Sequence, residues 1–187
     1  MKKIIAMLLA ALMLLSLAAC GGEETALNTD YTAEELMNKV VEQVEIPFAA
    51  MANPVQVSSE DSEYFLGLTD SKALVEDDAV VYEAMMSAQA FSAAIVKLVD
   101  TKDAETVKNE ILNGVDMRKW ICVEAEKLIV VDNGQYVLMV MGPVDLAQSM
   151  AAAFDTVLEA ENGTALEKDG AAPMDMGETD MVPAFGG

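Results

Sequence analysis

Leu128-Ile129-Val130-Val131-Asp132-Asn133-Gly134-Gln135-Tyr136-Val137-Leu138-Met139-Val140-Met141 is the stretch that decides the fold. Two apolar runs, rich in β-branched and large side chains, flank Asp132-Asn133-Gly134-Gln135. Asn-Gly between two such runs is the strongest short-range hairpin signal, because a type I′ turn needs positive φ at both central residues. Neither strand alternates apolar with polar residues. A nearly continuous apolar strand is one covered on both faces, so this hairpin belongs at the centre of a sheet.

Working outward, Gly142-Pro143 ends the second strand. A helix is expected from about Asp145 to Glu159, with Leu146, Met150, Phe154 and Val157 inward and a helix-favouring run Ala151-Ala152-Ala153. Upstream, Asp103 is expected to cap a helix reaching about Lys119, striped by Val107, Ile111 and Val115. Gly114 is a candidate break in it, costing up to about 1 kcal/mol relative to Ala. Val80–Met86 and Ala93–Val99 read as two further strands joined by a turn at Ser87-Ala88-Gln89. In the second of these, Ala94, Val96 and Leu98 share one face and Lys97 takes the other.

Farther out, Thr32 and Glu35 form a capping box, with Tyr31 and Leu36 placed for a hydrophobic staple. Leu36, Val40 and Val44 then make a helical stripe that Pro47 stops. Residues 46–59, interrupted by Pro47 and Pro54, read as an irregular segment laid on the domain. Glu60 to Glu63 start a short helical turn that Gly67 ends. From Ala160 onward the chain is rich in Gly, Pro, Ala and acids without periodicity, and is expected to be a disordered acidic tail.

The expected fold class is therefore α+β: a four-stranded antiparallel sheet from two hairpins, each followed by a helix, plus an N-terminal helix. The helices are expected on one face, and strand order is not readable. The domain boundaries are 1–19 for a signal peptide, 20–30 for a linker, 31–159 for a single α+β domain and 160–187 for the tail.

The first 22 residues carry an address. Lys2 and Lys3 precede an apolar run from Ile4 to Leu17, too short for a comfortable membrane span of roughly 20 residues. Leu17-Ala18-Ala19-Cys20 follows at once and resembles the bacterial lipobox. That resemblance implies cleavage before Cys20, lipidation of the Cys20 thiol and an extracytoplasmic domain tethered to the plasma membrane. Two or more acyl chains hold such a domain firmly, where one chain is marginal. The expected partner is thus the membrane, through the lipid on Cys20.

Composition narrows the function. The precursor has 187 residues and a formal charge of −21, and loss of Lys2 and Lys3 with residues 1–19 makes it −23. Nucleic acid is excluded as a partner, since binding it needs Lys/Arg patches. There is no His, which removes Ser–His and Cys–His nucleophile pairs and the usual zinc and copper nitrogen ligands. No nucleotide-binding glycine loop or nucleophile elbow occurs. The acid groups Glu60/Asp61/Glu63 and Glu76/Asp77/Asp78 read as solvated loops rather than a catalytic carboxylate pair or a Ca²⁺ loop. Met174, Met176 and Met181 offer thioethers suited to Cu(I), weighed against the general abundance of Met in this chain. No cofactor, metal site or catalytic residue is assigned. With Cys20 lipidated, Cys122 stands alone in Trp120-Ile121-Cys122-Val123 and is expected to be a buried, inert thiol.

Residues from about Thr32 to Leu158 resemble a family of uncharacterised bacterial lipoproteins, domain of unknown function 4358. The resemblance is carried by the lipobox followed by an amphipathic helix, by Phe65-Leu66-Gly67-Leu68 and the strand pair Val80–Val99, and by Lys102-Asp103-Ala104-Glu105-Thr106-Val107-Lys108. Gly134-Gln135-Tyr136-Val137 and Ala151-Ala152-Ala153-Phe154 complete it. It implies a surface lipoprotein of Gram-positive-type bacteria with a small α+β fold, and it brings no activity and no site residues. The resulting expectation is a non-enzymatic binding or scaffold module. A carboxylate- or metal-dependent envelope enzyme and a small solute-binding lipoprotein are the alternatives.

Overall fold

The computed structural model describes residues 30–159 and 163–170. Cys20, the linker up to residue 29 and Met174, Met176 and Met181 lie outside the described residues.

Helix α1 (Ala33–Val41) begins where the capping box places it. The Glu35 N–H donates to Thr32 Oγ1 at 3.2 Å, and the Thr32 N–H donates to Glu35 Oε2 at 3.0 Å. Strand β1 (Ala50–Val55) follows, then α2 (Asp61–Leu66), which Gly67 closes in the left-handed conformation at φ 67°. Strands β2 (Val75–Ala84) and β3 (Ser92–Leu98) pair antiparallel, and α3 runs from Ala104 to Gly114. The hairpin is β4 (Lys127–Asn133) and β5 (Tyr136–Gly142), α4 is Val144–Leu158, and β6 is Leu166–Asp169.

The sheet is six-stranded and antiparallel between neighbours, in the order β1-β2-β3-β5-β4-β6, so the expectation of four strands from two hairpins is overturned. Both extra strands are edges. β1 lies in the segment expected to be irregular. It carries Pro54, which an edge strand tolerates because its outer N–H groups need no partner. β6 lies in the segment expected to be tail. It is short and polar, and its partners Glu126 to Val130 are far away in sequence.

The helices also occupy both faces rather than one. α2 and α3 cover a face formed by Val81, Ala94, Val96, Val130, Val137 and Met139. α1 and α4 cover the opposite face, formed by Val80, Ile95, Ile129, Val131, Leu138 and Val140. The unbroken apolar runs of β4 and β5 call for this two-sided cover. Topology supplies the reason. β3 and β4 are parallel with β5 between them, and β5 and β6 are parallel with β4 between them. The two crossovers start from oppositely directed strands and step the same way along the sheet. With one common hand, their helices α3 and α4 must fall on opposite faces.

Local chemistry departs from expectation at three places. The hairpin loop is Gly134-Gln135, flanked by the Asn133–Tyr136 pair, and only Gly134 has positive φ (62°). This is the type II′ pattern with glycine first, not Asn-Gly at the centre of a type I′ turn. α3 stops at Gly114, where Gly67, the residue that closes α2, sits against it. A Cβ on Gly67 would lie 2.6 Å from the Val115 nitrogen, and one on Gly114 would lie 2.9 Å from the Gly67 carbonyl carbon. Asp103 makes no side-chain cap for α3; Asp100 instead accepts the Lys102 N–H at 3.1 Å, in the turn just before the helix.

Candidate functional site

The two ends of the sheet differ. At one end, Tyr31 N–H donates to the Tyr136 hydroxyl at 2.9 Å, and that hydroxyl donates to the Tyr31 carbonyl at 2.8 Å. Asp30 pairs with Lys97 at 2.8 Å, and the Ala33 N–H donates to Asp78 Oδ2 at 3.0 Å. The chain therefore enters the domain at the end marked by Tyr136, Lys97 and the Gly134 turn. Lys97 is held charged above its ordinary range, chiefly by the hydrogen bond to Asp30.

The opposite end is marked by Glu83, Ser92 and Met141, which neighbour one another across β2, β3 and β5. Six of the seven large apolar side chains that are exposed among the described residues gather there: Met51, Tyr64, Met85, Met86, Ile121 and Val144. Val99 lies at the entry end. Met51 pairs with Glu83 across β1 and β2, and the Met85 N–H donates to the Ala49 carbonyl at 2.9 Å. Ile121 is 92% exposed. It stands at the tip of a loop closed at its base by the Ala125 N–H donating to the Met117 carbonyl at 3.0 Å.

Lys119 fixes this loop to the sheet. Its side chain is only 2% exposed, and its ammonium ion-pairs with Glu83 and lies 3.2 Å from Ser92 Oγ. The rings of Tyr64, Phe65 and Trp120 have centroids 5.1, 5.4 and 5.4 Å from it, within cation–π range. Burial lowers the Lys119 pKa from its ordinary value, and Glu83 opposes that shift. A Ser–Lys contact can activate a nucleophile. Here, however, Ser92 is fully buried and Glu83 already engages the amine, so no substrate atom reaches either group. The cluster is an internal strut that presents the 117–125 loop.

The acids named in the sequence are not brought together. Glu76 faces Lys97 at 3.6 Å, Asp77 accepts from the Ser58 N–H and Oγ at 2.9 and 3.0 Å, and Asp78 accepts from Ala33. An irregularity in the β2–β3 register between Val75 and Ala79 spreads these three carboxylates to three partners. Glu60, just before α2, and Asp61 and Glu63 on it are exposed. No group of three or more His, Cys, Asp or Glu suited to a metal occurs among the described residues. Glu110 is a different case. It lies in a shallow groove with Gly67, Asn109 and Asn113, and accepts the N–H groups of Thr69, Asp70 and Ser71 at 2.5, 2.7 and 2.8 Å. Burial raises its pKa, but these donors outweigh it and bring the value to about 2. Its oxygens are thus spent on holding the chain after α2.

Cys122 is exposed, contrary to expectation. Its apolar neighbours lie in a loop rather than in a strand or helix, and Trp120 alone turns toward the core. Lys119, Glu83 and Ser92 were not legible as a cluster, since the partners lie 36 and 27 residues away from the lysine. No protein-family model, no curated protein and no solved structure matches this chain, so the resemblance to the bacterial lipoprotein family rests on its sequence motifs alone.

Proposed function

We propose that this chain is a lipid-anchored, non-enzymatic binding or scaffold module, held on the extracytoplasmic face of the plasma membrane of a Gram-positive-type bacterium through Cys20. The anchor rests on the lipobox-like Leu17-Ala18-Ala19-Cys20. The observation that carries the binding reading is the polarity of the domain. The linker joins at the Tyr136 end, and the exposed apolar residues collect at the Glu83 end, roughly 20 Å away along strands of about 3.3 Å per residue. Concentrated exposed apolar surface marks an interaction site more often than scattered single residues do. A tether at one end leaves the other free to meet a partner in the envelope. The formal charge of −23 after loss of residues 1–19 keeps such a domain soluble and off anionic lipid headgroups.

Metabolic labelling with a radiolabelled fatty acid tests the anchor. Label is expected in the wild-type protein and not in Cys20→Ser, which should accumulate uncleaved or be released. Equal labelling and normal processing of the variant would remove the anchor from the account.

A further inference from the structure

At the same Glu83 end, the segment that follows α1 and the start of α4 enclose an open pocket of about 360 Å³. Its walls are half-buried Val44 and Phe48 and buried Leu146, with Pro47 and Pro143 beside them. Its rim carries two carboxylates, Glu45 and Asp145, and no basic residue lines it. Several of the domain's lysines are spent on acids elsewhere: Lys97 on Asp30, Lys119 on Glu83, Lys108 on Asp132 and Lys127 on Glu167. Neither Glu45 nor Asp145 makes an ion pair among the described residues. At the start of α4 the Val144 N–H donates to Glu126, a further acid, at 3.2 Å.

We propose that this pocket binds an organic cation: an ammonium or guanidinium group on an apolar body. The apolar walls would remove the body from water, at about 25 cal/mol per Å² of buried apolar surface. Glu45 and Asp145 supply the opposite charge, and Phe48 supplies an aromatic wall of the kind that attracts cations. The volume falls in the range of small-ligand clefts and accommodates one such group. A free amine and a Lys- or Arg-bearing peptide segment share this chemistry. The proposal deepens the binding-module reading and rests on it, naming what the partner presents.

The test is calorimetric titration of the full lipid-bearing protein in nanodiscs, with empty nanodiscs as the blank. The probes are phenethylammonium, 2-phenylethanol and 3-phenylpropionate. The expected result is saturable binding of the ammonium, several-fold weaker binding of the alcohol, and none of the carboxylate. Glu45→Gln with Asp145→Asn should weaken the ammonium about threefold to tenfold and leave the alcohol unchanged, as for two exposed charges. Ser149→Arg, at an exposed position on the pocket wall, should abolish binding by placing a cation there; circular dichroism confirms that the variants fold. Acetyl-leucyl-arginine amide distinguishes the sources. Tighter binding of this peptide than of phenethylammonium assigns the site to a protein segment, and the reverse order assigns it to a free amine. Equal binding of ammonium and alcohol, insensitivity to both variants, or no saturation up to roughly 10 mM overturns the proposal. Each of these leaves untouched a protein crosslink from a photoreactive residue at position 86, which tests the binding-module reading, so the two readings fail separately.

Discussion

The buried Lys119 ammonium and the half-buried Glu83 carboxylate form an ion pair that ties the loop after α3 to the second strand of the sheet. Breaking such a pair from one side leaves a charge buried without compensation and costs about 3–5 kcal/mol. Glu83→Ala is expected to lose that much in chemical denaturation. Lys119→Met with Glu83→Leu is expected to recover most of it, because an apolar pair removes both desolvation penalties. Equal destabilisation in the single and double variants would show that the pair itself, and not an orphaned charge, sets the cost.

The same lysine predicts a pH dependence. Its folded pKa lies below the ordinary 10.5, because burial disfavours the charged form. Between those two values the unfolded chain binds more protons than the folded one, so this residue's contribution to stability rises with pH. It is complete above 10.5 and is lost as pH falls through the folded value. The stability difference between wild type and Lys119→Met is expected to shift in favour of wild type as pH approaches 10.5. A flat difference across that window would contradict burial as the cause.

Glu110 works in the opposite range. With a folded pKa of about 2 against 4.5, its contribution is present above 4.5 and disappears as pH falls through about 2. Glu110→Gln is expected to cost about 2 kcal/mol at neutral pH, the scale of hydrogen bonds to a charged acceptor. The unfolding free energies of variant and wild type should converge in acid. Parallel curves down to pH 2 would mean that the three backbone donors do not favour the charged form.

Gly67 and Gly114 touch backbone to backbone where α2 meets the end of α3. Gly114→Ala forces backbone apart rather than a flexible side chain, and overpacking of that kind costs about 1–3 kcal/mol. Its thermal midpoint should fall, although Ala is the better helix former. An unchanged or raised midpoint would show that the close approach is easily relieved.

The segment around β6 completes the sheet. Lys108 is fully buried, and its ammonium meets Glu105 at 2.5 Å, Asp132 at 2.6 Å and the Thr164 carbonyl at 2.8 Å. Lys127 holds Glu167 and Asp169 from the neighbouring strand. A chain truncated after Glu159 removes the Thr164 carbonyl and bares the edge of β4, whose central residues Leu128, Ile129, Val130 and Val131 are apolar. It is expected to be less stable and to self-associate in analytical ultracentrifugation, relative to a chain truncated after Gly170. Identical behaviour of the two truncations would make β6 dispensable.

What the sequence showed, and what it hid, follows the range of the interactions. The capping box of Thr32 and Glu35, the left-handed Gly67 and the hairpin at Gly134 are local, and each is legible within a few residues. The unbroken apolar runs of β4 and β5 already demanded cover on both faces. The edge strands escaped notice because an edge needs neither a full apolar face nor freedom from proline, as Pro54 and Glu167-Lys168-Asp169 show. Cys122 misled because apolar neighbours in sequence do not imply burial when the segment is a loop. The pocket beside α4 unites residues about 100 positions apart, and no local pattern announces it.

The central claim is that the domain is tethered at its Tyr136 end and engages a partner through its Glu83 end. Site-specific photocrosslinking in native membranes tests it most directly, with a photoreactive residue replacing Met86 at the apolar end or Val99 at the entry end. The account predicts a discrete protein adduct from position 86, absent from position 99, and no lipid adduct from position 86. Lipid adducts from position 86, or the same adducts from both positions, would contradict it.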